Sequence, residues 1–372
     1  MTGATGPAEL EASGILTIDL AAIVANWHAL GARAAPAACA AVVKADAYGC
    51  GIEPVVGALS KAGCTTFFVA HLSEARRVRA IAPDATIYVL NGLLPASAPV
   101  YAEANLRPVI GSPAELEEWF AFRATSGWDG GAALQVDTGL SRLGLSRDEA
   151  AALAPRLGNS GIALIVSHFA CSEEDHPLNA LQMARFRDVH ALFPGVPGSL
   201  ANSSGIFLGP EALHDVVRPG VALYGANPLP GRPNPMRTVV SLEARVVQTR
   251  LVPQGATVGY SATWTAKRST RLAIACVGYA DGFLRASGAT DTKQGADAIV
   301  AGTRCPLAGR VSMDLVAIDV TDLPEGAVKR GDYVSLLNEQ IGVDDLAARA
   351  GTIGYEVLTS LGRRYRRIYR DA

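Results

Sequence analysis

The sequence predicts an α/β plus β fold: an N-terminal eight-stranded (β/α)8 TIM-like barrel followed by a mainly β C-terminal domain. Three observations predict it. Short β-branched runs alternate with longer Ala- and Leu-rich stretches over the first two thirds, those runs number eight, and the texture turns strand-rich after about Met236. A chain of 372 residues exceeds the usual single domain, so two units are expected, at 14–236 and 237–372.

In order, the predicted barrel strands are 41–44, 67–71, 87–91, 108–111, 134–137, 164–168, 199–202 and 216–218. Amphipathic stretches such as 113–123 and 178–192 separate them, the first opened by the helix-start pair Ser112-Pro113. An open doubly wound sheet produces a similar alternation; the count of eight favours the barrel. Four prolines within 228–235 mark the linker. Beyond it, 241–248, 271–277, 297–301, 315–320 and 333–337 read as strands punctuated by Gly and Pro turns, with a short helix at 343–350.

Hydrophobic residues make up 49% of the chain, enough for a large core. With 33 basic against 35 acidic residues, no electrostatic footprint for nucleic acid or a membrane surface exists. No run approaches the roughly 18 apolar residues of a spanning helix. Residues 1–13 hold no Lys, no Arg and no apolar block, unlike a signal peptide. Cys39, Cys50, Cys64, Cys171, Cys276 and Cys305 form no CxxC pair, which reads as free thiols in a reducing compartment. A cytoplasmic protein without a metal centre is expected.

In a parallel barrel the C-terminal strand ends carry the chemistry. Those ends here hold Lys44 with Tyr48, His71, Asn91, Asp137-Thr138 with Arg142, His168, Asn202-Ser203-Ser204-Gly205 and Arg218-Pro219-Gly220. A lone lysine is ordinarily a solvated surface charge. One that ends the apolar run Ala41-Val42-Val43 beside other cations is pushed toward the neutral amine, the nucleophile that forms Schiff bases with carbonyl cofactors. Loops after strands seven and eight commonly bind phosphate, and Ser203, Gly220 and Val221 suit that role. Asn-Ser-Ser-Gly is also an ordinary turn, and His168 an ordinary core histidine. Together the amine and the small-residue loops suggest a phosphorylated aldehyde, pyridoxal phosphate.

These residues sit in a wider pattern. Ala41-Val42-Val43-Lys44-Ala45-Asp46-Ala47-Tyr48-Gly49, Asp137-Thr138-Gly139-Leu140-Ser141-Arg142, Ser167-His168-Phe169-Ala170 and Arg218-Pro219-Gly220-Val221 resemble the motifs of bacterial alanine racemases. So do Gly259-Tyr260-Ser261-Ala262, Gly278-Tyr279-Ala280-Asp281-Gly282, Ser312-Met313-Asp314 and Gly354-Tyr355-Glu356. The resemblance runs from about Leu16 to Arg367. It implies a pyridoxal-phosphate enzyme that racemises alanine, either supplying D-alanine for cell wall or degrading it, built as a head-to-tail homodimer. It also implies that Lys44 carries the cofactor and that Tyr260 is the second base, contributed across the dimer. Arg142 and Met313 would meet the substrate, and Arg218 would face the pyridine nitrogen. His168 would link Tyr260 to Arg218. Tyr48, Asn202, Ser203, Gly220, Val221 and Tyr355 would bind the cofactor, with Tyr279 and Asp314 in support.

Two departures stand out. Many relatives carry a modified lysine where this chain has Gln135, so a neutral amide must help position Arg142. The segment after Gly282 reads Phe283-Leu284-Arg285, without the usual proline, which bears on substrate tolerance. A serine-preferring or broad-specificity racemase, a decarboxylase of the same fold type and a non-catalytic cofactor carrier stay open as rivals. The decarboxylase lacks support here, since no Gly-Gly-Gly phosphate loop is present.

Overall fold

A computed structural model describes residues 4–371; residues 1–3, within the stretch read as lacking a signal, and residue 372 lie outside the described residues. Seven parallel strands form one sheet in chain order: Ala41–Val42, Thr66–Val69, Thr86–Val89, Arg107–Ile110, Ala132–Gln135, Ile162–Val166 and Gly198–Ser199. Helices cover the sheet, so its strands are buried on both sides and read as unbroken apolar runs such as Phe67-Phe68-Val69. The helix expected at 113–123 starts where its signal lies and continues to Ser126. Ser112 Oγ accepts from Glu115 N at 3.3 Å, and Pro113 fills the first turn, where a missing N–H costs nothing.

The eighth predicted run does not join that sheet. It contributes Val216–Val217 to a two-stranded parallel sheet with Ala38–Cys39, so the continuous sheet holds seven strands where eight were expected. The run is cut short because Pro219 has no N–H with which to extend a ladder. Isolated backbone bonds still tie it on both sides: Arg218 N donates to Ala201 O at 2.9 Å, and Val42 N to Pro219 O at 3.0 Å.

The second sheet is built on Val240–Val252, in which Val240, Leu242, Ala244 and Val246 alternate inward. It pairs antiparallel with Gly14–Asp19, Tyr333–Leu337 and Thr270–Ala275, changing partners near an irregularity at Val246 and Gln248. The predicted strand regions in this part of the chain all form, and Val343–Ala350 is a helix as read. Gly14–Asp19, at the start of the first expected unit, pairs within this second sheet, beside Arg366–Arg370 in parallel. One apolar core therefore runs from Phe67 and Ile110 through to Leu242 and Leu336. Among the described residues no helix is long and apolar enough to cross a membrane.

Candidate active site

Lys44 follows the first strand of the parallel sheet, and the chain then turns in an unusual way. Ala45, Asp46, Ala47 and Tyr48 all have φ between 52° and 54°. Four consecutive non-glycine residues thus adopt a left-handed helical turn, which costs roughly 1–2 kcal/mol per residue. Specific bonds offset it. Ala45 N donates to Glu74 Oε1 at 2.6 Å, Ile52 N to Asp46 Oδ1 at 3.1 Å, and Arg77 Nη2 to the same Asp46 oxygen at 2.6 Å. Gly49 continues the turn at φ +79°, where a Cβ would stand 2.3 Å from Leu358 O. The result aims Lys44 and Tyr48 from one short segment into the same region. Burial, then the Arg142 guanidinium, lowers the Lys44 pKa from its usual value, and Glu74 partly opposes this.

Arg218 is 6% exposed and fully engaged. Its Nη1 donates to Ser199 O at 2.8 Å and Ser199 Oγ at 2.5 Å; its Nη2 donates to Ser167 O at 2.6 Å and lies 3.4 Å from His168 Nδ1. Burial pulls its pKa down to about 10, which leaves it charged at neutral pH. His168 is pushed down to about 3, first by burial and then by Arg218, Arg142 and Lys44. It is a neutral imidazole among cations. Arg142 is exposed, on the loop after Asp137, whose Oδ1 accepts from Gly139, Leu140 and Ser141 N at 2.9–3.1 Å. Gln135 does not reach the Arg142 guanidinium. Its Nε2 donates to Leu143 O at 3.1 Å and so secures the backbone next to it.

A second cluster lies beside this one. Tyr48 is buried and stacks on Tyr224 at 4.7 Å, with Tyr355 6.2 Å away. Gly220 N and Ala222 N converge on Ser203 Oγ at 2.9 and 3.3 Å, and Val221 is buried between them. A Cβ at Gly220 would approach Tyr48 Oη to 2.3 Å, so only glycine leaves this space open. Ser204 Oγ is buried with no hydrogen-bond partner. Asn202 turns inward to the loop, its Oδ1 accepting from Gly205 N and Ser172 Oγ at 2.8 and 2.9 Å. Tyr355 Oη donates to Glu173 Oε1 at 2.8 Å.

The remaining expected residues lie on loops of the second sheet. Tyr260 is 69% exposed, and its hydroxyl makes no hydrogen bond among the described residues. Tyr279 and Met313 are 41% and 52% exposed. Their loops are stitched together: Tyr279 N donates to Ser312 O and Ala280 N to Met313 O, both at 3.0 Å. Arg364 bridges buried Asp281 at 3.2 Å and Asp314 at 2.8 Å. Within one chain, then, Lys44, Arg142, His168 and Arg218 are assembled, whereas Tyr260, Tyr279, Met313 and Asp314 form a separate group.

Sequence reasoning missed Glu74, Ser199 and Glu173. Glu74 had a signal, its three-residue spacing from the strand-end residue His71; Ser199 and Glu173 had none. A cleft of about 1180 Å³ opens on the other side of the same turn, between Leu20, His28, Asp46, Lys61 and Arg363. It holds no strand-end nucleophile, so chemistry outweighs size in locating the site. The strand-end cluster fits an aldehyde-bearing, phosphorylated cofactor: an amine whose pKa is lowered by burial, a stacked tyrosine, and a glycine-lined space beside backbone N–H groups and an unpartnered hydroxyl.

Comparison with known proteins agrees. Residues 18–228 match the family described as alanine racemase, N-terminal domain, and 239–369 match alanine racemase, C-terminal domain. An alanine racemase of Methylobacterium sp. (strain 4-46) is 55% identical, covering 96% of this chain and 97% of its own. One from Rhizobium meliloti (strain 1021) is 46% identical over 98% of each. The crystal structure of alanine racemase from Bartonella henselae, with covalently bound pyridoxal phosphate, superposes with a TM-score of 0.91 at 39% identity, covering 96% of this chain and 100% of that one.

Proposed function

We infer how this site works from the premise that the chain belongs to the alanine racemase family. It is a pyridoxal-phosphate-dependent isomerase that interconverts L- and D-alanine. The observation that carries the reading of the site is Lys44 at a strand end, its amine held below the usual pKa beside Arg142 and His168.

When bound, pyridoxal phosphate supplies the electron-withdrawing ring that makes the α-proton of an attached amino acid labile. Lys44 would hold that cofactor covalently. Tyr48, Ser203, Gly220, Val221 and Tyr355 would receive its phosphate, and Asn202 would hold the loop that carries Ser203. Arg218, fixed by Ser199 and Ser167, would meet the pyridine nitrogen as a cation, which disfavours protonation of that nitrogen. Arg142 grips the substrate carboxylate with two parallel N–H groups.

Racemisation removes a proton from one face of Cα and returns one to the other, so two bases are needed. Lys44 serves one face and Tyr260 of the partner subunit the other. His168 would link that tyrosine to Arg218. Exposed Tyr260, Tyr279 and Met313 on interlocked loops support a shared site, since such side chains gain cover in a head-to-tail dimer. There Met313 and Tyr355 leave little room beyond a methyl group and Tyr279 narrows the entrance, while Arg364, paired with Asp281 and Asp314, holds the loops of Tyr279 and Met313 together.

The backbone bonds of 216–219 to both neighbours support closure of the parallel strands as an eight-stranded barrel. We assign 14–236 to that unit and 237–372 to the second, with Gly14–Asp19 lent to the second sheet. The free cysteines favour the cytoplasm. Borohydride reduction of the cofactor-loaded enzyme followed by peptide mapping tests the assignment. The tag is expected on the peptide containing Lys44, and a tag elsewhere sinks it.

A further inference from the structure

We propose that Glu74 is the positioning residue that holds the left-handed turn Ala45–Tyr48, and through it the direction of Lys44. The inference rests on Lys44 as the cofactor-bearing amine. The two carboxylate oxygens divide their work. Glu74 Oε2 accepts from Ala70 N at 2.9 Å and His71 N at 3.2 Å, which is the local bond expected of an acidic residue in the first turn of helix Leu72–Ile81. Oε1 does something no helix cap requires. It accepts from Ala45 N at 2.6 Å and Asp46 N at 3.4 Å, the two residues immediately after Lys44.

Those N–H groups point to one acceptor only because both residues have φ of 54°, in the left-handed region. A right-handed or extended chain would aim them elsewhere. One carboxylate thus ties the loop after the first strand to the loop after the second, and no other residue type supplies two acceptor oxygens of this reach without an added donor. A glutamine would keep one pair of bonds and set its NH2 against the other pair of N–H groups. The companion contact, Asp46 Oδ1 with Ile52 N and Arg77 Nη2, closes the far end of the same turn. Asp46 therefore anchors the turn from within, and Glu74 from outside it.

Helix capping alone makes a different prediction from positioning, and one pair of variants separates them. Glu74→Gln is compared with wild type by the pH dependence of acylation of Lys44 in the cofactor-free protein, read by mass spectrometry, and by hydrogen exchange at 45–48. The variant is expected to lose protection across 45–48, to shift the labelling midpoint, and to lower borohydride tagging of Lys44 about tenfold. Ala45→Gly, which removes the left-handed penalty at an exposed position, is then added. Glu74→Gln/Ala45→Gly is expected to recover part of the tagging, because the strain that Glu74 offsets has been lowered. Lost protection confined to 70–75, with Lys44 labelling and tagging unchanged, overturns the proposal, as does a loss of tagging that Ala45→Gly leaves unrescued. Should Glu74→Gln fail to fold, Glu74→Asp, shorter by one methylene, is read in the same way. Wild-type tagging at a peptide other than that of Lys44 is a separate outcome: it removes the cofactor assignment on which this rests.

Discussion

Arg218 and Tyr260 are both expected at one reacting centre, yet they are held in opposite ways. Arg218 is buried and bonded to Ser199 and Ser167, whereas Tyr260 stands in solvent without a partner for its hydroxyl. The same contrast separates their surroundings. On the parallel strands, burial with Arg218, Arg142 and Lys44 close by lowers the His168 pKa, and the backbone around them is fixed. On the second sheet, Tyr279 and Met313 are positioned by loop-to-loop bonds and present apolar surface outward. One side is preorganised and the other open, which is the contrast the proposed shared site in a dimer would resolve.

Mixing two inactive variants bears most directly on that contrast. Lys44→Ala and Tyr260→Phe are each expected to lose at least about 10²–10⁴-fold in racemisation, the usual weight of a positioned acid–base group. Refolded together, they recover activity if the two bases come from different subunits, because one site in each mixed dimer then owns both. Statistical mixing in a two-fold dimer puts the recovery at about a quarter of wild type. No recovery above the separate variants would mean that each chain completes its own site, and the comparison would collapse. Polarimetry on L-alanine reads the result.

A smaller effect sharpens the buried side. The His168 pKa is depressed to about 3 in the folded protein against 6.5 when exposed. Unfolding therefore takes up a proton between those values. The stabilisation from keeping this imidazole neutral is fully present above pH 6.5 and is lost as pH falls toward 3. His168→Gln, which cannot titrate, should show a smaller fall in Tm than wild type between pH 7 and pH 4. Equal falls would mean that His168 is charged in the native state.

The smallest effect concerns the loop that carries Arg142. Gln135→Ala removes one half-buried bond to Leu143 O, worth about 0.5–1.5 kcal/mol. Since that bond steadies the backbone beside Arg142, KM for alanine should rise about two- to tenfold while kcat changes less. A fall in kcat with KM unchanged would assign Gln135 to the chemistry instead.

Much of this was legible without coordinates. Seven predicted parallel runs pair in chain order because strands buried on both faces leave unbroken apolar signatures, and helix 113–123 announced itself through Ser112-Pro113. Lys44, His168 and Arg218 were found because strand ends are where a parallel unit exposes polar side chains. The strand Gly14–Asp19 was not recognised as part of the second sheet, since its partner Val240–Val252 lies more than 200 residues away and pairing across such distance leaves no local mark.

The sequence by itself determined the order of strands, the place of Lys44 at a strand end and the family, because each is written in residue type and short-range spacing. Tertiary structure alone decided that the continuous sheet stops at seven strands, that Gln135 serves backbone and not guanidinium, and that Glu74 bridges two loops. All three depend on where hydrogen-bonding groups point. That direction follows from φ and ψ and from neighbours distant along the chain, neither of which residue type or spacing records.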